Sequence, residues 1–527
     1  MNRSDRRRAG LLIPLFACPS TKSWGIGDIG DLPVITKWLA DGGLRVLQLL
    51  PINEMAAGQQ SPYSAMSAMA IDPIFIRVTD APEYVSLGGE DRLSVEDRKQ
   101  LEEVRRAATV DYPVVRRLKQ QALSAAFHRF REHEWTRETL RAQAFKEFVD
   151  REAWWLQDYA LFRAIHEREQ GRAWMEWPEP LRRREARALD DVRRELADEI
   201  LFRQYLQWIA DEQWRHARDA ARAHGVELFG DLPFMVDGHS ADVWARQSDF
   251  RLDASVGVPP DAFSATGQDW GMPAYRWDEI SRGDFRWLRD RARRSATLFD
   301  GYRIDHLVGF YRTYSRPRNG GSPSFEPVNE PEQLQLGERL MSVFREPGAE
   351  IFAEDLGIVP DFVRASLARQ QIAGFRVFRW EREWNVEEQP FRDPRSYPPL
   401  SVATSGTHDT EPMAIWWDEA PLKERELVAR IAAVQERAAD ADIPAAPFVP
   451  TVRDVLLETL FESQSNLLLL PVQDIFGWRD RINVPATVGD SNWTYRLPWP
   501  SDRLDREPEA QERKDKLREW SEKYNRF

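Results

Sequence analysis

Short apolar runs of Val, Ile, Leu and Phe recur along this chain at intervals filled by amphipathic stretches of helical period, and that alternation predicts the fold before any chemistry is considered. Eight runs read as buried strands: "GLLIPLF" from Gly10, "LRVLQLLP" from Leu44, "VELFGDLP" from Val226, "LFDGYRID" from Leu298, "EIFAEDL" from Glu350, "GFRVFRW" from Gly374, "LSVATSGTHD" from Leu400 and "NLLLLPVQD" from Asn466. Helical patterns such as "IGDLPVITKWLADGG", "PEQLQLGERLMSVFRE" and "PTVRDVLLETLFESQ" separate most neighbours. Buried strands joined by helical crossovers form a parallel sheet, and eight such units predict an α/β fold, a (β/α)8 TIM barrel spanning residues 1–527 as one catalytic body. Residues 75–222 are far too long for a barrel connection and carry helical segments such as "FKEFVDREAWWLQDYALFRAIHERE", which predicts a helical insertion after the second strand. Residues 233–284, rich in Gly, Pro and aromatics, read as a loop insertion after the third strand that shapes a cleft. Nothing strand-like follows residue 495, so no C-terminal β-domain is expected.

Charge and composition narrow the partners. The 527 residues carry a net charge of −13 and no basic stripe interleaved with aromatics, which argues against a nucleic-acid partner. The arginine-rich "LRRREARALDDVRREL" carries acids as well and reads as a solvated helix face. A single cysteine, Cys18, excludes an intramolecular disulfide and a CxxC metal site, and points to a reducing, cytoplasmic location. The opening "MNRSDRRRAGLLIPLFAC" mimics a lipoprotein leader, but Pro14 interrupts its apolar run and regular patterning continues past it. No apolar run is long enough to span a membrane. The 8 His fall without HExxH spacing, and neither GxGxxG nor a P-loop is present, so no metal and no cofactor is expected. The 21 Trp are many for this length, and flat aromatic faces stack well on sugar rings.

Under a barrel reading the strand ends acquire meaning, because barrel active sites form there. Acids close five of the runs: Asp231, Asp305, Glu354 with Asp355, Asp409 and Asp474. Helix N-caps also favour Asp, so one such residue would signify little. Several carboxylates on one rim repel unless cations offset them. Arg303 lies two residues before Asp305, on the same strand face, and His306 and His408 each adjoin an acid. Chemistry that needs two carboxylates of separated pKa and no metal is most naturally glycosidic bond cleavage.

At this point the residues resemble a known family. "LPINEMAAGQQSPYSAMSAMAIDPIFI", "GDLPFMVDGHSADVW", "VGVPPDAFSATGQDWGMPAYRWD", "GYRIDHLVGF", "FAEDLG", "SGTHDT" and "RINVPATVGDSNWTYR", in this order, are similar to the 4-alpha-glucanotransferases called amylomaltases or disproportionating enzymes, glycoside hydrolase family 77. The resemblance implies a retaining double displacement that moves α-1,4-glucan segments between maltooligosaccharides, without protein partners. It implies Asp305 as nucleophile, Glu354 as acid/base and Asp409 as the residue holding sugar hydroxyls. It further implies Arg303 beside Asp305, His408 on the same sugar, and Ser61, Tyr63, Gln268, Trp270 and Asn483 along the subsites. The chain departs from the usual pattern at "THDTEPMAIWW", "GFRVFRW" and "VDGHSADVW", which bears on acceptor preference. A glucan hydrolase and a catalytically silent glucan-binding protein remain alternative readings at this point.

Overall fold

The structure, a computed structural model, describes residues 6–527 apart from 57, 261–266, 439–440, 486, 488 and 490. Part of the "PPDAFSATGQ" motif and three positions of "RINVPATVGDSNW" therefore lie outside the described residues. In chain order the strands are β1 (Arg8–Leu12), β2 (Val46–Gln48), β3 (Glu227–Leu232), β4 (Phe250–Val258), β5 (Gln268–Tyr275), β6 (Gly301–Ile304), β7 (Thr313–Pro317), β8 (Ser324–Glu326), β9 (Glu350–Ala353), β10 (Ala373–Val377), β11 (Ser401–Thr404) and β12 (Leu467–Pro471). Eight of them close a barrel in the order β1-β12-β11-β10-β9-β6-β3-β2. Every pairing in it is parallel, and β2 completes the ring on β1. Helices such as Leu32–Asp41, Glu330–Arg345 and Pro450–Phe461 join these strands, each burying one apolar face.

Strand alternation organises the barrel interior into layers. Val46, Phe229, Phe352, Phe375, Val377, Val402, Leu467 and Leu469 form a core of their own, separate from the helix-facing one. The Phe352 ring lies 6.0 Å from that of Phe229 and 5.7 Å from that of Phe375. Room for Phe229 comes from Gly301: a Cβ there would sit 2.8 Å from the Phe229 ring. Below this layer, Arg8 sends its guanidinium across the barrel floor to Glu227 and to Glu350, the latter at 2.7 Å. Glu227, Phe229 and Asp231 share one strand face, as do Glu350, Phe352 and Glu354, so a single alternation sets the floor, the apolar layer and the acids at the mouth.

Between β2 and β3 the chain forms a series of helices, including Tyr112–Phe130, Ala153–Arg168 and the long Ala197–Ala223. The stretch "FKEFVDREAWWLQDYALFRAIHERE" is two helices rather than one, Leu140–Arg151 and Ala153–Arg168, broken at Glu152. The Glu152 carboxylate accepts the indole N–H of Trp155 at 2.8 Å. "LRRREARALDDVRREL" holds the helix Ala186–Glu195, which buries only Leu189 and Val192 and leaves its charges to solvent.

Residues 233–284 differ from the loop expected there. They contain β4 and β5, which join β7 and β8 in an antiparallel sheet of order β5-β4-β7-β8. The reason the sequence hides these strands is visible in their pairing. β5 includes Gly271 in a left-handed conformation and Pro273, the β4–β5 register shifts twice, and β4 is held on its other edge by the distant β7. Among the described residues β12 is the last strand, and the chain closes with the helix Pro508–Lys523.

Arg8→Ala would leave two carboxylates facing one another in the barrel floor. We expect it to lower the unfolding free energy by about 3–5 kcal/mol, read as a reduced urea midpoint at unchanged slope.

Candidate active site

Parallel register places the two central acids side by side. Ile304 of β6 pairs with Ala353 of β9, so Asp305 and Glu354 follow as the next opposed positions, on strands about 4.8 Å apart. The Asp305 N–H donates to the Leu232 carbonyl at 3.0 Å and the Glu354 N–H to the Ile304 carbonyl at 3.0 Å, which fixes both residues at the strand ends. The chain then turns through His306, whose φ of 42° is left-handed. That turn aims the His306 N–H at Glu354 Oε2, 2.9 Å away.

Arg303 is the hub. Its side chain is 6 % exposed and lies 2.7 Å from Asp231 Oδ2 and 2.8 Å from Asp305 Oδ1. Burial alone would lower its pKa, but the carboxylates of Asp231 and Asp305 outweigh it and raise it well above the ordinary value. Asp231 itself is buried, and desolvation lifts its pKa against the pull of Arg303. Its Oδ2 also accepts the Tyr63 hydroxyl at 2.7 Å. The Tyr63 oxygen lies 3.0 Å from His408 Nε2, and the tyrosine ring stacks on the imidazole at 5.4 Å and 18°. With the Tyr63 proton given to Asp231, His408 Nε2 is the donor in that contact, and it lies 3.3 Å from Asp409 Oδ2 as well.

Three environments separate the acids. Desolvation at the cleft floor, reinforced by the Asp305 charge and opposed by Arg303, pushes Glu354 up to about 7. Asp409 would also rise on burial, yet His408 and the Asn483 amide, which donates to its Oδ1 at 2.6 Å, hold it well below the usual carboxylate range. Asp305 faces the cleft with its carboxylate against Arg303.

All ten residues that the family resemblance assigns to the site line one cleft of about 880 Å³. Trp270 donates its indole N–H to Gln268 at 3.2 Å and sets its ring edge-to-face with His306 at 4.8 Å. Ser61 accepts the Tyr63 N–H at 3.3 Å. A neighbouring cavity of about 930 Å³, walled by Trp478 and Trp499, carries none of the strand-end acids.

Not every acid read at a strand end belongs to the cleft. Asp355 turns away to accept the Phe375 N–H at 2.7 Å. Asp474 lies past the end of β12 in the short helix Val472–Phe476, where it accepts Ser405 Oγ at 2.5 Å and the Met413 N–H at 2.6 Å. Asp409 does line the cleft, but from a turn: β11 ends at Thr404, and Thr410 Oγ1 accepts the Thr407 N–H at 2.9 Å to fold the loop back. Sequence reasoning did not place Asp231, His306 or Trp493 in the site. Asp231 was visible as a strand-end acid, but its register pairing with Arg303 was not. The Trp493 ring stands 5.8 Å from that of Tyr63, within the already noted "RINVPATVGDSNWTYR".

A barrel with carboxylates converging from its fourth, fifth and seventh strands beside a wide aromatic cleft defines an enzyme of the class that works on glycosidic bonds. Comparison with known proteins makes that specific. The chain belongs to the 4-alpha-glucanotransferase family, glycoside hydrolase family 77, whose family model matches residues 13–502. It is 34% identical over 508 residues to the 4-alpha-glucanotransferase of Thermus thermophilus, covering 93% of this chain and 95% of that one. It is 31% identical over 501 residues to that of Chlamydia pneumoniae, covering 93% and 91%. Among solved structures it resembles amylomaltase from Streptococcus agalactiae in complex with acarbose, with a TM-score of 0.82, 26% identity, and coverage of 99% of this chain and 100% of that one.

Tyr63→Phe keeps the ring stack and removes the donor to Asp231, whose Oδ1 has no partner among the described residues. The expected cost is about 1–3 kcal/mol of stability, measurable by urea unfolding.

Proposed function

We propose that this chain transfers α-1,4-glucan segments between maltooligosaccharides by retaining double displacement, with Asp305 as nucleophile, Glu354 as acid/base and Asp409 as the anchor for the sugar at the cleavage point. The observation that carries the reading is the pairing of Asp305, its carboxylate against Arg303, with a Glu354 held protonated to about 7 on the adjacent strand. In the first step an Asp305 oxygen attacks the anomeric carbon while Glu354 gives its proton to the departing glycosidic oxygen. The donor's reducing-end portion leaves with a free 4-hydroxyl, and the remaining segment is held as a β-glucosyl ester. In the second step the 4-hydroxyl of another glucan attacks the same carbon, Glu354 takes its proton, and the ester to Asp305 breaks.

Arg303 offsets the charge of Asp305 when the ester breaks, and Asp409, low in pKa through His408 and Asn483, is an ionised acceptor for sugar hydroxyls. Tyr63, Trp270 and Trp493 supply aromatic faces along the cleft that exclude water and position an acceptor, which favours transfer over hydrolysis. Maltooligosaccharides are the partner class this cleft fits. The free thiol of Cys18, buried beside the barrel, accords with the cytoplasmic location read from the sequence.

Incubation of the protein with maltotriose tests the reading directly: transfer gives glucose together with longer oligosaccharides, whereas hydrolysis gives shorter products alone. Asp305→Asn should remove both, by on the order of 10⁴-fold or more. Longer products at near-normal rates from that variant would reject Asp305 as nucleophile.

The pH dependence follows from Glu354. Its raised pKa keeps it protonated below about 7, so kcat/KM should fall along an alkaline limb as pH rises through about 7. Glu354→Gln should lose about 10²–10⁴-fold on maltotriose and lose that limb, while a donor with an activated leaving group recovers part of the rate.

A further inference from the structure

A pocket of about 220 Å³ opens between the helices Tyr112–Phe130, Ala153–Arg168 and Ala197–Ala223. Its floor is apolar, with Met55, Met66, Leu123 and Leu206 all nearly inaccessible to solvent. Its walls carry three guanidiniums, of Arg116, Arg163 and Arg203.

The hydrogen-bond accounts of these groups differ. Arg116 is spoken for, since it binds both oxygens of Asp72 at 3.0 and 2.8 Å. The Lys119 ammonium is likewise committed, to the carbonyls of Ile74 and Ile76 at 2.6 and 2.8 Å. Arg203 is 5 % exposed, and its Nη2 reaches Glu199 at 2.7 Å and Glu167 at 3.5 Å, both solvent-accessible. Arg163 uses Nη1 on His166 Nδ1 at 3.1 Å. Among the described residues the Nε of Arg203 is buried without a hydrogen-bond partner. The one lining carboxylate, Glu54, lies 3.1 Å from Arg163 Nε in an ion pair and accepts the Tyr159 hydroxyl at 2.5 Å. The buried Arg203 Nε–H, left without an acceptor, carries a desolvation cost that a bound oxyanion would remove.

The geometry points to a second binding site, for a small organic oxyanion whose carboxylate or phosphate head meets Arg163 and Arg203 and whose carbon frame covers the methionines and leucines. The site is joined to catalysis through one segment. Asn53 bridges Ile71, Met55 bridges Ala65, and the Met66 N–H donates to the Glu54 carbonyl at 2.6 Å. The same segment carries Ser61 and Tyr63 into the catalytic cleft. An anion in the pocket therefore braces the base of the segment that positions Tyr63, which makes it an effector of the glucan site rather than a substrate.

Thermal unfolding of the full chain tests this with succinate, glucose 6-phosphate and inorganic phosphate, and with glucose to correct for occupancy of the cleft. At tenfold excess over Kd, at least one of the two organic anions should raise the Tm by about 1–3 °C beyond its control, and which one does so identifies the head group. Arg203→Gln should abolish the rise. Gln120→Glu, an exposed change that adds a repelling carboxylate at the pocket mouth, should weaken it without disturbing the core. No rise with either organic anion, or an undiminished rise in Gln120→Glu and in folded Arg203→Gln, would overturn the proposal. An equal rise with inorganic phosphate would overturn the part assigned to the carbon frame.

Discussion

A guanidinium buried at the top of the barrel governs the site. Arg303 has no escape to solvent, so its charge must be met by carboxylates, and it is met by two: Asp231 on the neighbouring strand and Asp305 two positions along its own. Breaking such an arrangement from one side strands an uncompensated charge, so each member holds the others in place. Through Asp231 the constraint passes to Tyr63, from Tyr63 to His408, and from His408 to Asp409. Glu354 lies outside that chain of contacts, and desolvation, against the pull of Arg303, lifts its carboxyl to about 7. The difference between Glu354 and Asp409 thus comes from desolvation at the one and from His408 and Asn483 at the other.

The same alternation that fills the barrel also selects which acids reach the mouth. Phe229 and Phe352 face inward because the core requires it, and Asp231 and Glu354, two positions on, are carried inward with them. Asp355, one position out of phase, is turned toward Phe375 and Arg364 instead. Gly301 has a matching function on β6, where the absent side chain admits Phe229 and keeps Arg303 and Asp305 in phase above it.

Legibility in the sequence followed from where the determining interactions lie. The barrel strands were visible because both their faces are buried and the runs are therefore continuously apolar. Their ends were less visible: the run through "SGTHD" reads as strand to Asp409, whereas pairing stops at Thr404 and a threonine-stabilised turn brings Asp409 back. The antiparallel sheet β5-β4-β7-β8 was not visible, since Gly271, Pro273 and the shifted register mask local alternation and the partner strand β7 is remote. Asp305, Glu354 and Asp409 could be named from motifs and strand ends. The part of Asp231 could not, because it depends on a cross-strand pairing that no local pattern encodes.

The ring is closed by β1 lying against β12, the first strand against the last. Arg526, near the C-terminus, strengthens that seam by donating to the carbonyls of Arg8 and Ser465 under the barrel floor. A chain made from its N-terminus must therefore hold an open, curved sheet with an unpaired β1 edge until β12 has been synthesised. During that interval the edge is exposed to pairing with other chains, and the helices between β2 and β3, rich in short-range contacts, are the part able to fold first. The floor and mouth of the barrel come into being together only once β12 has paired with β1.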